Sequence, residues 1–185
     1  MNATMLVGGL VFGLSLAMSL TVAGASDAFR VTSASFEDGE RLTSTKFVHD
    51  KFGCGGHNLS PGLSWSGAPA GTQSYAVTLF DRDARNGRGW WHWLVFDIPP
   101  TNAQLPEGGP IPQGAVEGGS DFGLPGYQGP CPPPGSGAHH YVFTVYALDV
   151  MALGLDPKVN GAQALETLRR HALGAATIQF LYGRP

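Results

Sequence analysis

Breaks limit what this chain can become. Glycine (27) and proline (14) interrupt the 185-residue sequence every few positions, and neither suits the interior of a helix or of a central strand. Many short strands joined by ordered turns fit such punctuation, and a helical bundle does not. Between the breaks, apolar residues alternate with a period of two from Phe29 to Ser35, Ser74 to Phe80, Trp91 to Asp97, Tyr141 to Leu148 and Ala175 to Tyr182, which reads as strands. A brief apolar element runs from Leu63 to Trp65. Tyr141 to Leu148 is apolar on both faces and is expected to be central. One short helix near the C-terminus is expected where Leu165, Leu168 and Ala172 recur at helical spacing, with Asn160 as N-cap and Gly174 as stop. The fold class expected is all-β with small α additions.

Residues 1–25 hold no acidic or basic side chain, run apolar from Leu6 to Leu20 and end in Ala23-Gly24-Ala25. That is the pattern of a secretory signal peptide, although the first stretch has no Lys or Arg, so a retained membrane anchor is the alternative. The expected organisation is a signal peptide over 1–25 and a single domain over 26–185, periplasmic or secreted, with no stable membrane span once the signal is removed. In an exported chain the two cysteines, Cys54 and Cys131, are expected to form one disulfide, the alternative being a pair of buried free thiols. The formal net charge of −3 gives no warrant for nucleic acid, and the basic residues cluster only at Arg82, Arg85 and Arg88.

Those arginines lie between two groups of chemically active side chains. Asp81 ends one alternating run and His92 opens the next, within Gly89-Trp90-Trp91-His92-Trp93. Two neighbouring strands joined by that turn place Asp81 and His92 at one rim. Asp121 and His139 also fall at strand ends or in adjoining loops, and the long segment from Pro99 to Ala138, carrying Phe122, Tyr127 and Cys131, is expected to be an ordered surface. If the four polar groups meet, the imidazoles and nearby N–H groups make an anion pocket walled by Trp90 and Tyr141; otherwise each His is a hydrogen-bonded structural residue. A metal is not expected. His139 and His140 point to opposite faces of a strand, and no paired-histidine spacing is present. Neither is a cofactor, since no P-loop or dinucleotide fingerprint occurs, and no Gly-x-Ser-x-Gly elbow singles out a nucleophile, leaving Ser60 and Ser120 as bare candidates.

The chain resembles the phosphatidylethanolamine-binding protein family, specifically its bacterial Raf kinase inhibitor-like branch. The resemblance rests on Cys54-Gly55-Gly56-His57-Asn58-Leu59-Ser60-Pro61, Trp65, Pro69-Ala70-Gly71-Thr72, Asp81 with Asp83, Gly89 to Trp93, Asp121-Phe122-Gly123, Gly129 to Pro133, His139 with Tyr141, and the run from Leu173 to Arg184. It implies a β-sandwich of two antiparallel sheets with a small pocket for phosphate or a phospholipid head group. Asp81, His92, His139 and Tyr141 would line that pocket, with Trp90, Cys131 and Pro133 at its wall and Tyr182 near its mouth. Both imidazoles are expected to donate to the anion. It further implies binding without turnover, or, as the alternative, a protease- or kinase-inhibiting protein-interaction module acting through the 99–138 surface. The family's Asp-Pro-Asp-Ala-Pro is here Asp81-Arg82-Asp83-Ala84-Arg85, which makes the rim more basic, and its His-Arg-Tyr is His139-His140-Tyr141, which leaves the second position's anchoring role pH-dependent or missing.

Overall fold

Strands and helices succeed one another as β1 (Arg30–Thr32), β2 (Glu40–Arg41), β3 (Leu63–Ser66), β4 (Ser74–Asp81), α1 (Ala84–Gly87), β5 (Trp90–Ile98), β6 (Gln104–Leu105), β7 (Val116–Glu117), β8 (His139–Leu148), α2 (Gly161–His171) and β9 (Ala172–Tyr182). This is a computed structural model that describes Met1 and residues 28–185; the expected signal peptide over 1–25 therefore lies, beyond Met1, outside the described residues. A three-stranded sheet runs β1-β3-β6 and a six-stranded sheet runs β2-β9-β8-β4-β5-β7. The expected sandwich of antiparallel sheets is present, with one exception: the two-residue pairing of β2 with β9 is parallel.

Because strand side chains alternate, the six-stranded sheet has two buried faces. Inward, Val77, Leu79, Phe143, Val145, Ile178 and Phe180 pack against Val31, Leu63 and Trp65 of the smaller sheet. Outward, Ala76, Leu94, Phe96, Tyr146 and Leu148 pack against Ala164 and Leu168 of α2. β8 lies between β4 and β9, which is why both its faces are apolar. The predicted N-cap is formed: Asn160 Oδ1 accepts from Gln163 N at 3.0 Å and Gln163 Oε1 from Asn160 N at 3.0 Å, a reciprocal capping box. Gly174 does not end the helix. α2 stops at His171 and Ala172 pairs at once with Leu148 of β8, so Gly174 falls inside β9.

Two register shifts between β4 and β5 decide which residues face the inner core. The first lies between Tyr75 and Val77, whose partners are Ile98 and Val95, with Asp97 in the left-handed region at φ 55°; the extra residue turns Ile98 back to the inner side, where it is fully buried. The second lies between Leu79, opposite Trp93, and Phe80, opposite Trp91, so His92 is the extra residue of a β-bulge.

The 99–138 segment is not wholly irregular. It supplies β6 to the smaller sheet and β7 to the larger one. Its later part is tied down by Gln128 N donating to His92 O at 3.1 Å, Tyr127 Oη to Phe47 O at 2.9 Å and Gly129 N to Asn58 Oδ1 at 2.7 Å, and by the disulfide between Cys54 and Cys131.

Candidate binding site

Asp81, the last residue of β4, pairs with Trp90 on β5 and with Tyr141 on β8. Directly opposed residues share a face, so Trp90, Asp81 and Tyr141 form one row at the end of the inner core. His139 lies two residues earlier on β8 and so shares that face. The bulge brings in His92: in strict alternation with Trp93 it would point with Leu94 toward α2, but the extra residue turns it inward against Tyr141, with ring centroids 5.3 Å apart. Trp91 goes to the other side, where its ring packs against Phe80 and against Gly161 at the start of α2, leaving no room for a Cβ there.

These residues surround a cavity of about 540 Å³ whose lining includes Asp81, Trp90, His92, His139 and Tyr141 from the strands, Cys131, Pro132 and Pro133 from the long segment, and Arg85 from the β4–β5 turn. Seven of the nine residues expected from the sequence thus meet at one place. Asp121 and Tyr182 lie outside the lining. The Asp121 carboxylate accepts from Trp91 N at 2.9 Å and from Asn160 Nδ2 at 3.1 Å, which fixes β5 to the start of α2. Tyr182 is buried in β9 opposite His139. Phe122, Asp83, Ser136, Ala84 and Asn86 also line the cavity; Asp83 had a signal in the Asp-x-Asp spacing, whereas Ser136 had none.

Asp81 is a positioning group. Its Oδ2 accepts from His139 Nδ1 at 2.7 Å while its Oδ1 accepts from the backbone N–H groups of Asp83 at 3.0 Å and Ala84 at 3.1 Å. Asp83 has a parallel arrangement half in solvent, with Oδ2 accepting from His140 N at 2.6 Å and His140 Nδ1 at 2.8 Å. Burial works to raise the Asp83 carboxyl, but the main-chain N–H and imidazole of His140 outweigh it and hold the group below its usual range. His140 therefore anchors this carboxylate where the resemblance would have an arginine.

The geometry corrects the expectation that both imidazoles donate into the pocket. His92 Nδ1 lies 2.6 Å from Gln128 O; a carbonyl only accepts, so this nitrogen carries the proton. Complete burial drives the imidazole down to about 4, so it is neutral at pH 7 and its Nε2 is an acceptor. Donors are found elsewhere. The hydroxyl of Tyr141 and the indole N–H of Trp90 are buried without a hydrogen-bond partner, and burial, then the neighbouring Asp81 charge, push the Tyr141 phenol well above its ordinary value, so it keeps its proton.

Ser136 Oγ lies 3.1 Å from His139 Nε2, completing a Ser-His-Asp chain. That hydroxyl has one proton and two acceptors within reach, Pro133 O at 2.8 Å and, with the ring proton on Nδ1, His139 Nε2. His49, unremarked in the sequence, is fully buried behind Phe122, with ring centroids 5.1 Å apart, and its Nε2 has no partner. Among the described residues no three His, Cys, Asp or Glu side chains are arranged to hold a metal ion, and no helix is long and apolar enough to cross a membrane.

A family model described as phosphatidylethanolamine-binding protein matches residues 32–183. Escherichia coli YbcL is 44% identical over 144 residues, covering 75% of this chain and 79% of that protein. Its crystal structure, presented as a new member of the mammalian PEBP family, superposes with a TM-score of 0.80 over 85% of this chain and 99% of that one. The crystal structure of the Chlamydia trachomatis homologue CT736, a putative phosphatidylethanolamine-binding protein homologue, superposes with a TM-score of 0.71 at 33% identity, over 86% and 100% of the respective chains. A putative lipoprotein, LppC of Mycobacterium tuberculosis, is 41% identical over 128 residues, covering 69% of this chain and 62% of that protein.

Proposed function

The chain belongs to the phosphatidylethanolamine-binding protein family, and on that premise we propose that it is an exported binding protein whose cavity takes a small anionic group, a phosphate or phospholipid head group, without turning it over. The observation that carries this reading is the meeting of Asp81, His139, His92, Trp90 and Tyr141 around one cavity of about 540 Å³, in which the Tyr141 hydroxyl has no protein partner. A buried polar group left unpaired costs about 1–3 kcal/mol, and a ligand oxygen accepting from it recovers that loss. Asp81 holds the His139 ring in place, Trp90 and Phe122 wall off water, and His92 offers an acceptor to any protonated ligand oxygen.

Export is supported by the signal-like pattern of residues 1–25, by the disulfide between Cys54 and Cys131, and by the naming of the relative LppC as a putative lipoprotein. Disulfides persist in oxidising compartments and are rare in a reducing cytosol.

The test is a thermal melt of the protein with and without phosphate. A ligand present at a hundred times its dissociation constant stabilises the folded state by about 2.7 kcal/mol, which appears as a raised melting temperature. Tyr141→Phe, which removes one oxygen and keeps the ring, should shrink that rise, and His92→Ala should abolish it. An undiminished rise in both variants would place the anion elsewhere and overturn the reading.

A further inference from the structure

We propose that Arg85 forms a second anion subsite at the mouth of the cavity and makes the protein selective for a phosphate monoester over a phosphodiester. This deepens the anion-cavity reading and rests on it. The sequence places three arginines on the β4–β5 turn, but only Arg85 contributes to the cavity lining. Its guanidinium lies over the Trp90 ring, 3.9 Å from the centroid. Stacking occupies the face of the guanidinium and leaves its in-plane N–H donors free; among the described residues it makes no ion pair and donates no hydrogen bond.

The other charges around the cavity are already committed. Asp81 is bound to His139 and Asp83 to His140, while His92 is turned to Gln128 O. Arg85 is the guanidinium in the lining, and among the described residues it has no ion-pair partner. Its backbone is informative too. Arg85 and the following Asn86 hold left-handed conformations, at φ 52°, ψ 43° and φ 58°, ψ 44°, inside the short α1 turn. Such a conformation is unfavourable for a residue with a Cβ, and where it occurs at a cavity rim it points to a side chain held there for use.

Counting oxygens sets the selectivity. A phosphate monoester has three terminal oxygens: two can meet the flat fork of Arg85 while the third accepts from an interior donor such as the Tyr141 hydroxyl. A phosphodiester has two, so one of them must be shared between the fork and the interior donor, and it carries one negative charge where the monoester carries close to two at neutral pH. The monoester could arrive free or as the exposed head group of a lipid.

Isothermal titration of the purified protein with glycerol 3-phosphate and with glycerophosphoethanolamine tests this, and pelleting with phosphatidylcholine vesicles, with or without phosphatidic acid, separates the two sources. The expected result is tighter binding of glycerol 3-phosphate, and a roughly 10- to 100-fold loss of that affinity in Arg85→Gln, as for removal of a hydrogen bond to a charged group. The diester should lose distinctly less, and Arg85→Lys, which keeps the charge without the fork, should fall between. Pelleting that depends on phosphatidic acid and on Arg85 would assign the monoester to a lipid, while titration without pelleting would assign it to a soluble ester. Equal affinities for the two esters, or equal losses of both in Arg85→Gln, would overturn the subsite and leave the cavity standing. Wild-type protein that binds neither ester would overturn the anion-cavity reading itself, and the subsite with it.

Discussion

The same inner face of β4, β5 and β8 behaves differently at its two ends. At the Ser74 end, Tyr75, Val77, Val145 and Ala147 pack in one apolar cluster with Trp65 and Val31 of the smaller sheet, the Trp65 and Tyr75 rings meeting edge to face at 5.4 Å. At the Asp81 end, six residues along the same strands, the face carries a carboxylate, two imidazoles, a bulge and an open volume, beside a turn with two left-handed side-chain-bearing residues. Each end has a β-bulge in β5, at Asp97 and at His92; what sets the Asp81 end apart is the open volume and the polar side chains around it. A close-packed end fixes register and tolerates few changes; a site built on the same strands inherits their rigidity and can carry strain and uncommitted polar groups.

The sharpest way to break this contrast is to empty each end in turn. Trp65→Ala, which empties the packed Ser74 end where the ring meets Tyr75 at 4% exposure, should cost about 3–5 kcal/mol in urea unfolding. Phe122→Ala at the cavity wall, only partly buried, should cost about 1 kcal/mol; equal losses would mean that the cavity wall is ordinary core.

A somewhat smaller effect should appear with pH. The His92 imidazole has its folded value depressed to about 4 from 6.5, so as pH falls the unfolded chain binds that proton first. The contribution is therefore intact above about pH 6.5 and is lost as pH falls toward 4, amounting to about 3 kcal/mol. The unfolding free energy of the wild type relative to His92→Gln, measured in urea, should fall by that much from pH 7 to pH 4. A constant difference would show that His92 is not held neutral by burial.

Smallest is the Asp83 pair. Its carboxyl is depressed in the folded state, so its contribution is present above the ordinary carboxylate range and fades as pH falls through the lowered value. Exposed pairs of this kind contribute within about 1 kcal/mol. Asp83→Asn should lower the melting temperature slightly at pH 7 and progressively less toward pH 3. A large loss would mean that this turn, and not the packed end, holds β4 to β8.

Local rules made much of this legible. Alternation located β4, β5, β8 and β9 to within a residue or two at most ends, Asn160 was readable as a cap because its acceptor reaches the third residue on, and Asp81, His92 and His139 could be placed together because all sit at strand ends. The bulge could not be read. Trp90 and His92 have one parity and Trp93 and Val95 the other, yet all four face inward, and only pairing against β4 reveals the extra residue. The bulge at Asp97, the short β6 and β7, and the burial of His49 inside a glycine-rich stretch depend likewise on distant partners. Asp121 has the chemistry of a pocket carboxylate, but its position makes it a fastener for Trp91 N and Asn160.

The wall formed by Cys131, Pro132 and Pro133 stands between Pro130 and Pro134. Of these five residues only Cys131 has a backbone N–H, so the wall can offer carbonyls to its neighbours but almost nothing that donates, and it cannot be zipped into a sheet. His49 N and Arg184 Nε reach in to Pro130 O and Pro132 O, Ser136 folds back on Pro133 O, and a covalent stitch joins the wall to Cys54. The binding site is in this respect a sewn seam: sequence and folding bring its two edges together, and an oxidant closes it.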